Sequence, residues 1–160
     1  MILITLGTQD KSFVRLLEAV DKKLEEKKIN EKVVVQAGHT EYSSQNMTIY
    51  DFVEYDKFDE LIKECDILIT HGGVGSIIAG LNNNKKVIAA ARLKKYKEHT
   101  NDHQLQIIDN FSAAGYILEL SDFDKVDELI EKAKTFEPKK YKSNKENFVA
   151  FIEKEIDNLL

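Results

Sequence analysis

Two stretches of this chain combine residue types suited to holding an anion and a polyol. One is Asp66-Ile-Leu-Ile-Thr-His-Gly-Gly-Val-Gly-Ser-Ile-Ile78, and the other, beyond a basic loop, is Asn101-Asp-His-Gln104. In the first, the apolar run Ile67–Ile69 reads as a buried strand that ends in Thr70-His71. It passes through Gly72, Gly73 and Gly75 into Ser76-Ile77-Ile78, which reads as the start of a helix. Glycines at a strand-to-helix turn let the backbone approach a ligand closely. The free N–H groups and the positive dipole end of the following helix favour an anion, most often a phosphate. A nucleotide diphosphate is the ligand this pattern suggests first.

Several familiar motifs with related chemistry are excluded. A Walker loop needs Lys-Ser/Thr after its last glycine, whereas Gly75 is followed by Ser76-Ile77. A dinucleotide fingerprint starting at Gly73 would have its third glycine at Ile78, and the region around Leu93, where an acid should grip a ribose, is basic. His99 and His103 stand four apart, but no Glu follows His99 and no cysteine is near, so neither a metal nor a cofactor is expected. Ser76 has no glycine two residues before it, which excludes a serine-hydrolase elbow. Tyr50 and Tyr96 are followed four residues on by Glu54 and Thr100, so neither of these tyrosines opens the Tyr-x-x-x-Lys pair of an epimerase.

Composition narrows the class further. A chain of 160 residues has room for one α/β domain with a sizeable core. A formal charge of −5 argues against a nucleic-acid partner, since phosphate backbones select basic surfaces. Arg15 and Arg92 are the only arginines, so bidentate phosphate forks are scarce. Cys65 has no second cysteine to pair with, which fits a reducing compartment and a packing role. Met1-Ile-Leu-Ile-Thr-Leu6 lacks a basic leader, and no apolar run nears the ~20 residues that span a bilayer. The expectation is a cytoplasmic protein, held at a membrane only through something else.

The elements that must position these residues follow from hydrophobic periodicity. Strands are expected at Ile2–Leu6, Lys32–Gln36, Thr48–Val53, Ile67–Ile69, Val87–Ala91 and Tyr116–Leu120. Phe13, Leu16, Leu17, Val20 and Leu24 mark an amphipathic helix; Phe58, Leu61 and Ile62 a short one; Val74–Leu81 and Asn101–Phe111 two more. Strands alternating with helices predict a Rossmann-like parallel sheet with helices on both faces. Residues 1–137 would form this domain. Pro138 would hinge a final helix over 138–160, whose stripe of Phe148, Phe151, Ile152, Ile156 and Leu159 would pack on the domain or on a partner subunit.

Leu6-Gly-Thr-Gln9, Thr70-His-Gly-Gly-Val-Gly-Ser-Ile77 and Asn101-Asp-His-Gln104 together resemble the C-terminal, donor-binding domain of family-28 glycosyltransferases. The likeness runs from Ile2 to about Leu120. It is strongest to the small stand-alone members, the soluble subunits of two-component UDP-sugar transferases. These include the subunit of dolichol-linked glycan synthesis and its bacterial counterparts in capsule and exopolysaccharide assembly; residues 92–104 look particularly like the bacterial branch.

The resemblance implies half of a GT-B glycosyltransferase. Gly72, Gly73, Gly75 and Ser76 would hold the diphosphate of a UDP-sugar, with Thr70 and His71 at the strand's carboxyl end. Gly7, Thr8 and Gln9 would line the other side of the crevice, and residues 50–54 would read the uracil edge. Asp102 and Gln104 would bond sugar hydroxyls, His103 would orient them or face the phosphates, and Arg92 would offset phosphate charge. The family's larger members carry an acid after the glycine turn, where Ile78-Ala79-Gly80 offers none. The catalytic groups stay unassigned, with His71, Asp102 and His103 as candidates. A membrane-anchored partner would supply the acceptor site for a lipid-linked saccharide. The activity implied is inverting transfer of a hexose, galactose or N-acetylglucosamine; the alternative is a non-catalytic, nucleotide-sugar-binding accessory subunit.

Overall fold

A computed structural model describes residues 1–140 of the chain. Six parallel strands form one sheet: β1 (Ile2–Thr5), β2 (Val33–Gln36), β3 (Thr48–Tyr50), β4 (Ile67–His71), β5 (Lys86–Ala90) and β6 (Leu118–Glu119). Their spatial order is β3-β2-β1-β4-β5-β6. The order reverses between β1 and β4, where Thr5 lies in register with Thr70. Crossovers leave these two neighbours in opposite directions, opening a crevice beyond their carboxyl ends.

Strands covered on both faces need apolar residues at successive positions, and β1 and β4 have them. Their side chains divide by parity. Ile2, Ile4, Ile67 and Ile69 enter one core with Leu16, Leu17 and Val20 of α1 (Val14–Glu25) and with Val126, Ile130 and Ala133 of α5 (Val126–Thr135). Leu3 and Leu68 enter the other, under α2 (Tyr55–Glu64), α3 (Val74–Asn82) and α4 (His103–Ala113). Ile62, Ile77 and Phe111 are its helical contributions. Cys65 is buried in the same layer, and burial pushes its thiol up to about 11, in keeping with a packing role.

Three expectations change. The third strand stops at Tyr50, and residues 51–54 turn away to the crevice. The last strand is only Leu118–Glu119. Helix α5 was not expected, although Val126, Ile130 and Ala133 follow helical spacing. The helix expected over 138–160 lies largely outside the described residues.

No helix crosses between β2 and β3; a loop does so, fastened to α1. Asp21 accepts from the Tyr42 hydroxyl at 2.6 Å, Ser44 Oγ at 2.7 Å and Asn46 Nδ2 at 2.9 Å. Burial pulls the Asp21 carboxyl upward, but these donors outweigh it and hold it below its ordinary value. Thr40 Oγ1 accepts from the Phe13 N–H at 3.0 Å, which anchors the start of α1.

Candidate functional site

The crevice has a volume of about 560 Å³ and is lined by Gly7, Thr8 and Gln9 after β1, Gln36 at the end of β2, and Phe52, Val53, Tyr55 and Phe58 after β3. Its opposite wall is His71, Gly73, Gly75 and Ser76. A smaller hollow of about 300 Å³ continues past Gln9 and Gly73 toward His99, Asn101, His103 and Gln104. Gln9 Nε2 lies 3.2 Å from His99 Nε2, so this pair bridges the two hollows. Neither lining contains an Asp, Glu, Lys or Arg.

Two of the glycines are there because His71 leaves no room for side chains. Gly7 has a φ of +76°, and a Cβ there would stand 2.5 Å from His71 Nε2. A Cβ on Gly73 would stand 2.5 Å from His71 Cε1. The imidazole therefore fills the slot between two backbones. Gly75 is the opposite case: a Cβ there meets nothing within 4 Å and would project into open space. No side chain caps α3, so its first-turn N–H groups at Val74, Gly75 and Ser76 have no intrahelical acceptors and stand beside the crevice.

His71 is buried, and its pKa falls to about 3 through desolvation first, then the charges of Arg92 and His99. It is neutral across the physiological range. Gln104 decides which nitrogen carries the proton. Gln104 Oε1 accepts from the backbone N–H of Gly72 at 3.1 Å and of Arg92 at 3.0 Å. The amide nitrogen is thereby turned to His71 Nδ1, 3.2 Å away. An amide N–H can only donate, so Nδ1 accepts and the imidazole proton sits on Nε2, toward Gly7 and Gly73.

Four expected ligands are placed differently. Thr70 is fully buried, and its hydroxyl accepts from Thr5 Oγ1 at 3.1 Å beneath the crevice floor. Thr70 shares parity with Leu68, so its side chain enters the layer under α3. Arg92 points away from the crevice; its guanidinium donates to the backbone carbonyls of Leu6, Lys11 and Glu98. Gln104 is only 4% exposed; its oxygen accepts from the two backbone donors and its amide nitrogen meets His71. Asp102 is exposed, and its Oδ1 accepts from the Lys94 N–H at 2.8 Å, capping the short 3-10 turn Lys94–Tyr96. Asn101 Oδ1, not Asp102, accepts from the His103 N–H at 3.0 Å to open α4.

Gly7, Thr8, Gln9, His71, Gly72, Gly73, Gly75, Ser76 and His103 do meet at the two hollows. Sequence reasoning missed Gln36 and His99. Gln36 Nε2 donates to the carbonyls of Gly7 at 3.3 Å and Asp51 at 3.1 Å, tying two crevice loops together. Its position as the last residue of β2 was the available signal. The Asp122-Phe-Asp124 triplet, a spacing seen in metal sites, lies far along the chain before α5. There Asp122 Oδ1 accepts from the Asp124 N–H at 3.1 Å, outside both hollows. Among the described residues no cluster of His, Cys, Asp and Glu could hold a metal ion.

A fully parallel sheet in this order, with an uncharged glycine-lined crevice at its point of reversal, defines the Rossmann-like, doubly wound class of α/β domain. Within that class the chain belongs to the glycosyltransferase family 28 C-terminal domain, which it matches over residues 1–159. It is 32% identical over 80 residues to the UDP-N-acetylglucosamine transferase subunit ALG13 of Candida glabrata. That match covers 48% of this chain and 37% of the relative, so it spans little more than a third of the relative's length. The solution structure of ALG13 superposes with a TM-score of 0.62 at 19% identity, covering 94% of this chain and 93% of that one. A glycosyltransferase of kitacinnamycin superposes with a TM-score of 0.62 at 15% identity, covering 84% of this chain and 35% of that one. At such identities the superpositions establish the fold, the Rossmann-like C-terminal half of a GT-B glycosyltransferase.

Proposed function

We propose that this chain is the donor-binding subunit of a two-component, inverting glycosyltransferase. It would take a UDP-hexose, with galactose or N-acetylglucosamine as the sugar, and serve transfer to a lipid-linked saccharide. A membrane-anchored partner would provide the acceptor half and carry the chain at the membrane; among the described residues no helix is long and apolar enough to cross one. The relative named as a transferase subunit supports the division of labour.

The observation that carries this reading is the crevice itself, where the His71 Nε2–H and the uncapped start of α3 converge without any cation. In a single displacement, a base deprotonates the acceptor hydroxyl, which attacks the anomeric carbon as the bond to UDP breaks. Negative charge then gathers on the departing diphosphate, where fixed N–H donors stabilise it most. His71 serves as such a donor. With its Nδ1 engaged and its pKa at about 3, it is a poor base. No carboxylate lines either hollow, which supports a reading in which the partner supplies the base. The uracil would lie toward Phe52 and Val53, and the hexose toward His99, Asn101 and His103.

Calorimetric titration with UDP and with UDP-galactose, UDP-N-acetylglucosamine and UDP-glucuronic acid tests the assignment. UDP is expected to bind, and Gly75→Val to weaken it at least about tenfold, ~1.4 kcal/mol, without lowering the melting temperature. Absence of UDP binding, for the chain alone and for the assembled pair, overturns the proposal. The missing carboxylate also favours a second reading, an accessory subunit for a partner that holds every catalytic group. Turnover that survives Gly75→Val in the assembled pair would assign that role; turnover that collapses assigns donor binding.

A further inference from the structure

Gln104 was expected to hold a sugar hydroxyl, yet its amide oxygen and one of its two amide N–H donors are engaged within the protein. Its oxygen takes two backbone N–H groups, from the turn after β4 and from the second residue after β5, and its nitrogen meets the His71 ring. Gln104 is 4% exposed, and a Cβ on Gly72 would stand 2.6 Å from Gln104 Cβ, so the stem of the side chain packs against the glycine turn. Reversing the amide would set its NH2 group against two N–H donors and its oxygen against Nδ1. The orientation is therefore determined by the backbone and not by the ligand.

We propose that Gln104 is a positioning residue that locks His71 in the Nε2–H tautomer, so that the ring presents a permanent donor to the diphosphate crevice. The ring is buried, with the backbones of Gly7 and Gly73 beside its Nε2–Cε1 edge. The charged and titratable groups acting on it are Arg92 and His99; both disfavour an imidazolium. The His71 donor therefore neither appears nor vanishes with pH in the working range. Were Nδ1 protonated instead, the Nε2 lone pair would face the diphosphate, and the site would repel the ligand it is shaped to hold. The assignment of the ligand as a diphosphate rests on the proposed function above; the tautomer does not.

Gln104→Glu isolates the effect. The carboxylate keeps an acceptor for the Gly72 and Arg92 N–H groups, and its second oxygen replaces the NH2 that faces Nδ1. Long-range 1H–15N spectra of the labelled chain read the tautomer directly. Wild type is expected to show His71 protonated on Nε2 alone and unchanged between pH 5.5 and 8. In Gln104→Glu, Nδ1 should become protonated. UDP affinity at pH 8 should then fall at least about tenfold and return to within about threefold of wild type at pH 5.5, where the imidazolium again offers Nε2–H. UDP and UDP-hexose should weaken by the same factor, because a positioning residue acts on the shared diphosphate. Weakening of the UDP-hexose alone would make Gln104 a sugar ligand and overturn the proposal. A wild-type His71 carrying its proton on Nδ1 overturns it without any variant, even if Gln104→Glu fails to fold. If UDP binds neither protein, the donor assignment fails, while the wild-type tautomer still decides for or against Gln104.

Discussion

At the scale of single residues, His71 holds the site together and carries its main liability. The folded imidazole resists protonation down to about pH 3, whereas in the unfolded chain it titrates near 6.5. At neutral pH both states are neutral and nothing is lost. As pH falls below 6.5 the unfolded state takes up a proton that the folded state refuses, so stability declines until about pH 3. The loss should approach ~1.4 kcal/mol per pH unit in that window. Urea denaturation at a series of pH values checks it, and His71→Asn should show a shallower acid slope than wild type. Asp21 adds to the loss at the lower end. Its folded carboxyl is held below the ordinary range, so its contribution, full above that range, disappears as pH falls through the lowered value.

At the scale of elements, the site depends on how closely α3 lies on the sheet and how firmly the loop after β5 is held. Gly80, buried in α3, allows the close approach; a Cβ there would stand 2.7 Å from Val87 Cγ2 and 2.8 Å from Leu68 Cδ2. Both neighbours are fully buried, and overpacking outweighs the few tenths of a kcal/mol gained by removing a helical glycine. Gly80→Val should cost about 1–3 kcal/mol, read by thermal unfolding. It should also weaken UDP binding by lifting the α3 N-terminus away from His71. The loop is clamped by Arg15, which pairs with buried Glu98 at 2.9 Å and lies over the rings of Tyr96 at 4.3 Å and Phe123 at 3.9 Å. These contacts, with those of Arg92, explain how the basic loop is ordered while Lys94, Lys95 and Lys97 stay exposed.

At the scale of the whole molecule, the crevice is neutral in a chain whose formal charge is −5. A diphosphate held by N–H dipoles at close range, and not by paired cations, should bind with little salt dependence. Between 50 and 500 mM NaCl we expect UDP affinity to change by less than about threefold; calorimetry at both salt concentrations checks this, and a loss of tenfold or more would indicate cationic contacts. The elements bordering the site were legible in advance, because β1 and β4 are apolar runs broken by glycine and α1 has an unambiguous helical stripe. Helix α5 went unread although its apolar spacing was present.

From sequence alone, the type and order of most elements, the glycine turn and the family resemblance could be established, since these depend on local periodicity and on residues close together in the chain. The partners of Thr70, Arg92, Gln104 and Asp102 depended on tertiary structure. Strand parity turns Thr70 inward; the path of the loop over residues 92–102 brings Arg92 to the carbonyls of Leu6 and Lys11, and Gln104 to the turn at Gly72. Hydrogen-bonding groups that are taken out of water must find partners wherever the backbone leaves them unmet. Which side chains remain for a ligand is thus settled only after the chain has met its own needs.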